Sequence, residues 1–246
     1  MEIVTERVNI GVDGKTMGGY LARPTDGASR PAVLVFMEIF GVNSHIRDVT
    51  ERVAREGYVA LAPDFFHRTG PGVDYGYDQT GFTEGVKLLG TLKSDEVAAD
   101  ARAALSFLKR KNYVRGDRLG AMGFCIGGHV TYLTACETDV KAAASFYGGG
   151  IAKGQGLGGQ ASTIGRTSHI GGKILCLFGG KDPLIPLSEI DAIKAELKQH
   201  NVRNDVVVYP GADHGFFCDQ RGTFDKASAE DAWTRVKKLF AEELGA

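Results

Sequence analysis

The sequence predicts an α/β domain, a mostly parallel sheet flanked by helices on both faces, and three observations predict it. From residue 31 onward, short apolar runs alternate with amphipathic stretches at helical spacing. Those runs are apolar throughout rather than at every second residue, as strands covered on both faces are. The 246 residues are 43% hydrophobic, enough apolar material for one large core. No repeat and no polar linker divides the chain, so residues 1–246 are expected to form a single domain.

Taken in order, Glu2–Ile10 and Thr16–Arg23 read as two strands joined by the turn-forming Gly11-Val12-Asp13-Gly14. The apolar runs that follow are Ala32–Phe36, Tyr58–Ala62, Leu119–Phe124, Lys141–Tyr147, Ile174–Phe178 and Val206–Tyr209. Ser94 is placed to cap a helix with Asp95 and Glu96 in its first turn and Lys109, Arg110 and Lys111 at its end, charges that favour the helix dipole. Val97, Ala101, Leu105 and Leu108 supply its apolar stripe. A helical run covers His129 to Ala135, and a last helix from about Asp225 to Leu244 buries Ala229, Ala232, Trp233, Val236 and Phe240. Residues 63–81 and the glycine-rich 148–172 are irregular; both follow strands, so both can overhang a site at the carboxyl edge of the sheet.

Composition excludes several classes. The 29 basic and 30 acidic residues nearly cancel and form no basic block, so nucleic acid is not an expected partner. The N-terminal Met1–Arg7 has no apolar core of signal-peptide length, and no stretch reaches membrane-spanning length. Cys125, Cys136, Cys176 and Cys218 are scattered and form no CxxC pair, which speaks against a disulfide framework or a zinc site and for the reducing cytoplasm. No metal and no cofactor is implied.

The most informative stretch is Gly123-Phe124-Cys125-Ile126-Gly127-Gly128, between the strand Leu119–Phe124 and a helical run. This is the setting of a nucleophile elbow, with cysteine in place of serine. Glycines two before and two after the nucleophile keep a sharp turn clear of its neighbouring strand and helix, and the following helix aims free N–H groups at the sulfur. The bland alternative is a buried structural cysteine in a glycine-rich turn; a dinucleotide fingerprint is weaker, because GxGxxG is not met.

A hydrolase of this architecture presents its acid and then its histidine downstream of the nucleophile. Asp182, in Phe178-Gly179-Gly180-Lys181-Asp182-Pro183, follows one apolar strand, and His214, in Pro210-Gly211-Ala212-Asp213-His214-Gly215-Phe216, follows the next. His214 is assigned as the base that takes the thiol proton and later protonates the leaving group, with Asp182 orienting the imidazole. Either residue alone reads equally as a turn former. His45, His129, His169 and His200 have weaker contexts, and Asp213 is too close in sequence to reach the His214 ring properly.

The chain resembles the dienelactone hydrolases (carboxymethylenebutenolidases) of the α/β-hydrolase superfamily. The resemblance runs through Met37-Glu38-Ile39-Phe40-Gly41-Val42-Asn43, Leu61-Ala62-Pro63-Asp64-Phe65-Phe66, the cysteine elbow and the segment at His214. It implies hydrolysis of a small ester or lactone without a cofactor. It also implies that Glu38 lies beside Cys125 and helps gate its protonation, and that the Ile39 and Ile126 amides form the oxyanion hole. A strand-end carboxylate beside an apolar run is costly without a partner, which agrees. The chain departs from the family where dienelactone-cleaving members hold a substrate carboxylate with arginines, one of them four residues after the histidine: that position is Cys218, and the next arginine is Arg221. Arg68, Tyr75, Tyr77 and Arg221 are the candidates for the substrate pocket. Rival readings are a promiscuous esterase or phosphoesterase, a hydrolase-fold protein that binds without turnover, and a thiol redox protein using Cys218.

Overall fold

The computed structural model describes residues 1–245. Strands β1 (Ile3–Val12), β2 (Lys15–Pro24), β3 (Arg30–Phe36), β4 (Val59–Pro63), β5 (Val114–Phe124), β6 (Ala142–Phe146), β7 (Lys173–Gly179) and β8 (Asn204–Tyr209) join one sheet in the order β1-β2-β4-β3-β5-β6-β7-β8. The β1–β2 and β2–β4 pairs are antiparallel, and every pair from β4 to β8 is parallel. Gly11 and Val12, expected in the first turn, instead pair with Thr16 and Lys15. The turn is therefore the two residues Asp13 and Gly14, with φ of 50° and 72°, a geometry whose twist matches that of the paired strands.

Among the described residues there are six α-helices: α1 (Ser44–Arg55), α2 (Gln79–Leu89), α3 (Ser94–Lys109), α4 (Ile126–Glu137), α5 (Leu187–Gln199) and α6 (Lys226–Leu244). α1 packs on β2, β3 and β4, and α6 on β5, β6 and β7; α3 and α4 pack on each other over the opposite face. Asn43, Asp78 and Asp225 cap α1, α2 and α6, each side chain accepting from the amide three residues on. Ser94 does not cap α3. It is the first helical residue, and its hydroxyl donates to the Leu157 carbonyl 3.4 Å away, in the glycine-rich segment. Residues 63–81 are irregular only up to Asp78, since α2 begins at Gln79. No described helix is long and apolar enough to cross a membrane.

The register aligns the strand ends. Phe36 lies beside Gly123, Gly123 beside Ser145, and Phe146 beside Leu177. The segments leaving β3, β5, β6, β7 and β8 therefore emerge along one margin of the sheet, where α/β sheets carry their sites. At that margin, β5, α4 and β3 approach so closely that a Cβ on Gly123 would strike the Gly127 carbonyl and the Phe36 side chain. One on Gly127 would strike the carbonyls of Phe36 and Met37. Backbone cannot yield as a flexible side chain can, so Gly127→Ala should cost about 2–4 kcal/mol of stability. Urea unfolding of the variant beside the wild type measures it.

Candidate active site

Cys125 forms the turn between β5 and α4 with φ 55° and ψ −119°, a left-handed conformation that costs a non-glycine residue about 1–3 kcal/mol. Backbone bonds hold it there: its amide donates to the Phe146 carbonyl (3.1 Å), and its carbonyl accepts from Gly128 (2.9 Å) and His129 (3.2 Å). The thiol is partly exposed, whereas Cys136, Cys176 and Cys218 are buried. Among the described residues, neither the Ile39 amide nor the Ile126 amide has a protein acceptor. Gly85 of α2 lets that helix lie directly on the Ile39 carbonyl, which fixes the turn after β3.

Asp182 and His214 meet as expected from the strand order. His214 Nδ1 bonds Asp182 Oδ2 at 2.7 Å, and Asp182 Oδ1 accepts from the Leu184 amide at 2.8 Å. The two side chains are 9% and 1% exposed. Nε2, the other ring nitrogen, is buried without a close hydrogen-bond partner. Burial alone pushes the imidazole toward neutrality; the neighbouring Cys125 charge and the bond to Asp182 outweigh it and raise its pKa well above the usual value. Asp213 bonds only the His214 amide and leaves the ring to Asp182.

Glu38 is fully buried at the end of β3, and its partners are not the thiol. Oε1 accepts from Arg221 at 3.1 Å and Oε2 from the Tyr77 hydroxyl at 2.8 Å. Arg221 reaches it by lying over Gly215, where any side chain would collide with the guanidinium, and it stacks over the rings of Phe40 and Tyr77. Burial and the Glu38 charge raise the Tyr77 pKa far above the ordinary range, so its hydroxyl is a neutral donor. Burial likewise keeps His45, whose ring nitrogens are both unbonded, below its usual pKa against the pull of Glu38 and Asp219. Arg221 is thus the cation that balances Glu38.

The remaining sequence candidates separate. Tyr77 and Arg221 both bond Glu38 rather than lining the cleft before Cys125. Tyr75 is a packing residue whose carbonyl accepts from Asn43 and whose amide donates to Phe40. Arg68 belongs to a different cluster: its guanidinium bonds both carboxylate oxygens of Asp100 at 2.6 Å and Asp13 at 2.8 Å. Its expected place in the pocket is not where the structure puts it, because Asp100 of α3, beside the buried His67, captures the charge. Cys218 is a buried thiol pushed up to about 12 by burial and by Glu38.

In front of Cys125 and His214 opens a cleft of about 440 Å³. The glycine-rich segment supplies much of its wall through Gly149, Gly150, Lys153 and Leu157, so this segment does overhang the site. Tyr147 was not foreseen. It follows β6 at φ 37°, is fully buried, sets its ring edge-on to His214 at 5.1 Å, and leaves its hydroxyl without a partner. The only sequence signal for it is its place between an apolar run and three glycines.

The sequence pattern of the dienelactone hydrolase family matches residues 17–244. The chain belongs to this family. It is 43% identical over 244 residues to a Synechocystis sp. protein named for carboxymethylenebutenolidase activity, with 99% of each covered. An Escherichia coli protein of the same name is 35% identical over 248 residues, covering 99% of this chain and 89% of that one. Among solved structures, a Klebsiella pneumoniae protein named for dienelactone hydrolase superposes with a TM-score of 0.88 at 34% identity, covering 98% of this chain and all of the other. A dienelactone hydrolase-like promiscuous phosphotriesterase from metagenomic libraries gives 0.84 at 25% identity, covering 99% of each. The dienelactone hydrolase sheet and its helices are those of the α/β-hydrolase fold.

His129 ties this family's elbow helix to the cleft wall, bonding the Gly149 carbonyl (3.0 Å) and the Thr163 hydroxyl (2.7 Å). Burial pushes its pKa down to about 4. An unfolded chain protonates this imidazole below pH ~6.5 while the folded chain does not, so its contribution is complete above that pH and is lost as the pH falls toward 4. The loss amounts to about 3 kcal/mol at most. His129→Gln should therefore lose less stability than the wild type between pH 7 and 4.5, as read from urea midpoints at each pH. Equal losses would contradict the assignment.

Proposed function

We propose that this chain hydrolyses small carboxylic esters or lactones through a covalent acyl-enzyme on Cys125. The observation that carries the reading is the imidazole of His214, bonded to Asp182 on one nitrogen and left with a free, buried Nε2 beside a cysteine on a left-handed turn. The sulfur attacks the carbonyl carbon while its proton passes to Nε2. The carbonyl electrons move onto oxygen, to which the free amides of Ile39 and Ile126 donate hydrogen bonds. The intermediate collapses by expelling the alkoxide, which takes the proton from His214; in a lactone it stays tethered to the acyl group. Water then attacks the thioester with His214 as base, and the acid departs as the sulfur is released. Asp182 holds the tautomer and faces the positive charge on the ring. Glu38 acts on the thiol through its surroundings, by fixing Arg221 and Tyr77 beside it.

A second reading extends the same attack to phosphoesters. The phosphotriesterase neighbour favours it, because a nucleophile with two free amides can also serve a tetrahedral phosphorus centre. A redox role for Cys218 is disfavoured by its buried, strongly protonated thiol. Binding without turnover leaves the bonded histidine and the strained nucleophile without a purpose.

Cys125→Ala should abolish hydrolysis of p-nitrophenyl acetate, and Cys125→Ser should fold yet retain no more than about 1% of it. Asp182→Asn should reduce kcat by about 10²–10⁴-fold through the wrong tautomer. Steady-state kinetics with circular dichroism as the folding control tests all three; wild-type turnover in Cys125→Ala would refute the mechanism.

A further inference from the structure

The cleft before Cys125 is larger and more apolar than the proposed chemistry alone requires. At about 30 Å³ per water-sized group, its 440 Å³ hold roughly fifteen such groups, well beyond an acetyl unit or a single lactone ring. Its aliphatic walls come from four places in the chain: Leu89 at the end of α2, Ile126 at the start of α4, Leu157 of the glycine-rich segment, and Leu184 with Ile185 after Asp182. Leu184 is 61% exposed, a large apolar side chain on the rim of a concave site. Exposed leucines placed singly mean little, but one that continues an aliphatic wall beside a nucleophile offers a surface for a ligand.

The polar inventory is as telling. No carboxylate lines the cleft. Both ring nitrogens of His129 are already used by Gly149 and Thr163. Neither candidate guanidinium enters, since Arg221 is held on Glu38 and Arg68 on Asp100 and Asp13. Besides His214 itself, the cation lining the cleft is Lys153, solvent-exposed and in no ion pair among the described residues. An exposed ammonium strengthens binding of an anion by at most about fivefold. Each methylene moved from water onto an apolar wall contributes up to about fourfold. Four methylenes therefore outweigh the one charge.

We infer that this cleft selects esters carrying a medium-length or aromatic hydrocarbon group on the carbonyl, rather than compact anionic lactones. The inference rests on the proposed Cys125 chemistry and specifies its substrate class. It places the hydrocarbon on the acyl side because the acyl group is the part that stays bonded to Cys125 through both steps, while the alcohol leaves after the first.

The test is kcat/KM along p-nitrophenyl acetate, butyrate, hexanoate and octanoate, with the p-nitrophenyl half-ester of adipate as the anionic match to hexanoate. The expected result is a ten- to hundredfold rise from acetate to hexanoate, with the half-ester slower than hexanoate. Leu184→Asp, at an exposed position where folding is checked by its thermal midpoint, should flatten the series. A flat wild-type series with acetate still cleaved, or a half-ester faster than hexanoate, overturns the substrate class and leaves Cys125-dependent hydrolysis standing. A wild type that cleaves none of the esters overturns both.

Discussion

The site depends on one backbone constraint, the left-handed conformation at Cys125. A side chain in that region is strained and persists only where surrounding structure enforces it. Here the enforcement is mutual. Phe146 takes the Cys125 amide, the first turn of α4 takes its carbonyl, and glycines at 123 and 127 let three backbones meet where any Cβ would separate them. Release of that contact would let β3, β5 and α4 move apart. The Ile39 amide, in the turn after β3, and the Ile126 amide, first in α4, would move with them.

Behind the thiol lies a second, electrostatic constraint. A carboxylate without solvent is tolerated only with partners. Glu38 has a guanidinium on one oxygen and a phenol on the other, and each is pinned by aromatic stacking or by a glycine that makes room. This arrangement satisfies the buried carboxylate of Glu38 without any bond to Cys125. Tyr147 adds an unbonded hydroxyl to the same interior, next to the ring of His214. Buried polar atoms left in this way are uncommon, and here Tyr147 Oη and His214 Nε2 are two of them side by side.

Much of this was legible in the residues. The apolar runs located all the parallel strands, because strands covered on both faces cannot be polar. The places of Cys125, Asp182 and His214 after β5, β7 and β8 bring the three to one margin of the sheet. What was hidden depended on distant partners. The first half of β5 carries the polar stretch Arg115-Gly116-Asp117-Arg118, which lies across the register shift between the Val114–Arg30 and Leu119–Ala32 pairs. The start of α2 is obscured by Gly81 and Gly85, poor helix formers kept because the Gly76 and Ile39 carbonyls press against them. Arg68 looked like an anion binder because its nearest neighbours in sequence do not reveal Asp100, which holds it in space.

The bond between Glu38 and Arg221 spans 183 positions of the chain. Glu38 and Arg221 bracket β4 to β8 in the sequence, so this one bond closes a loop that contains most of the sheet.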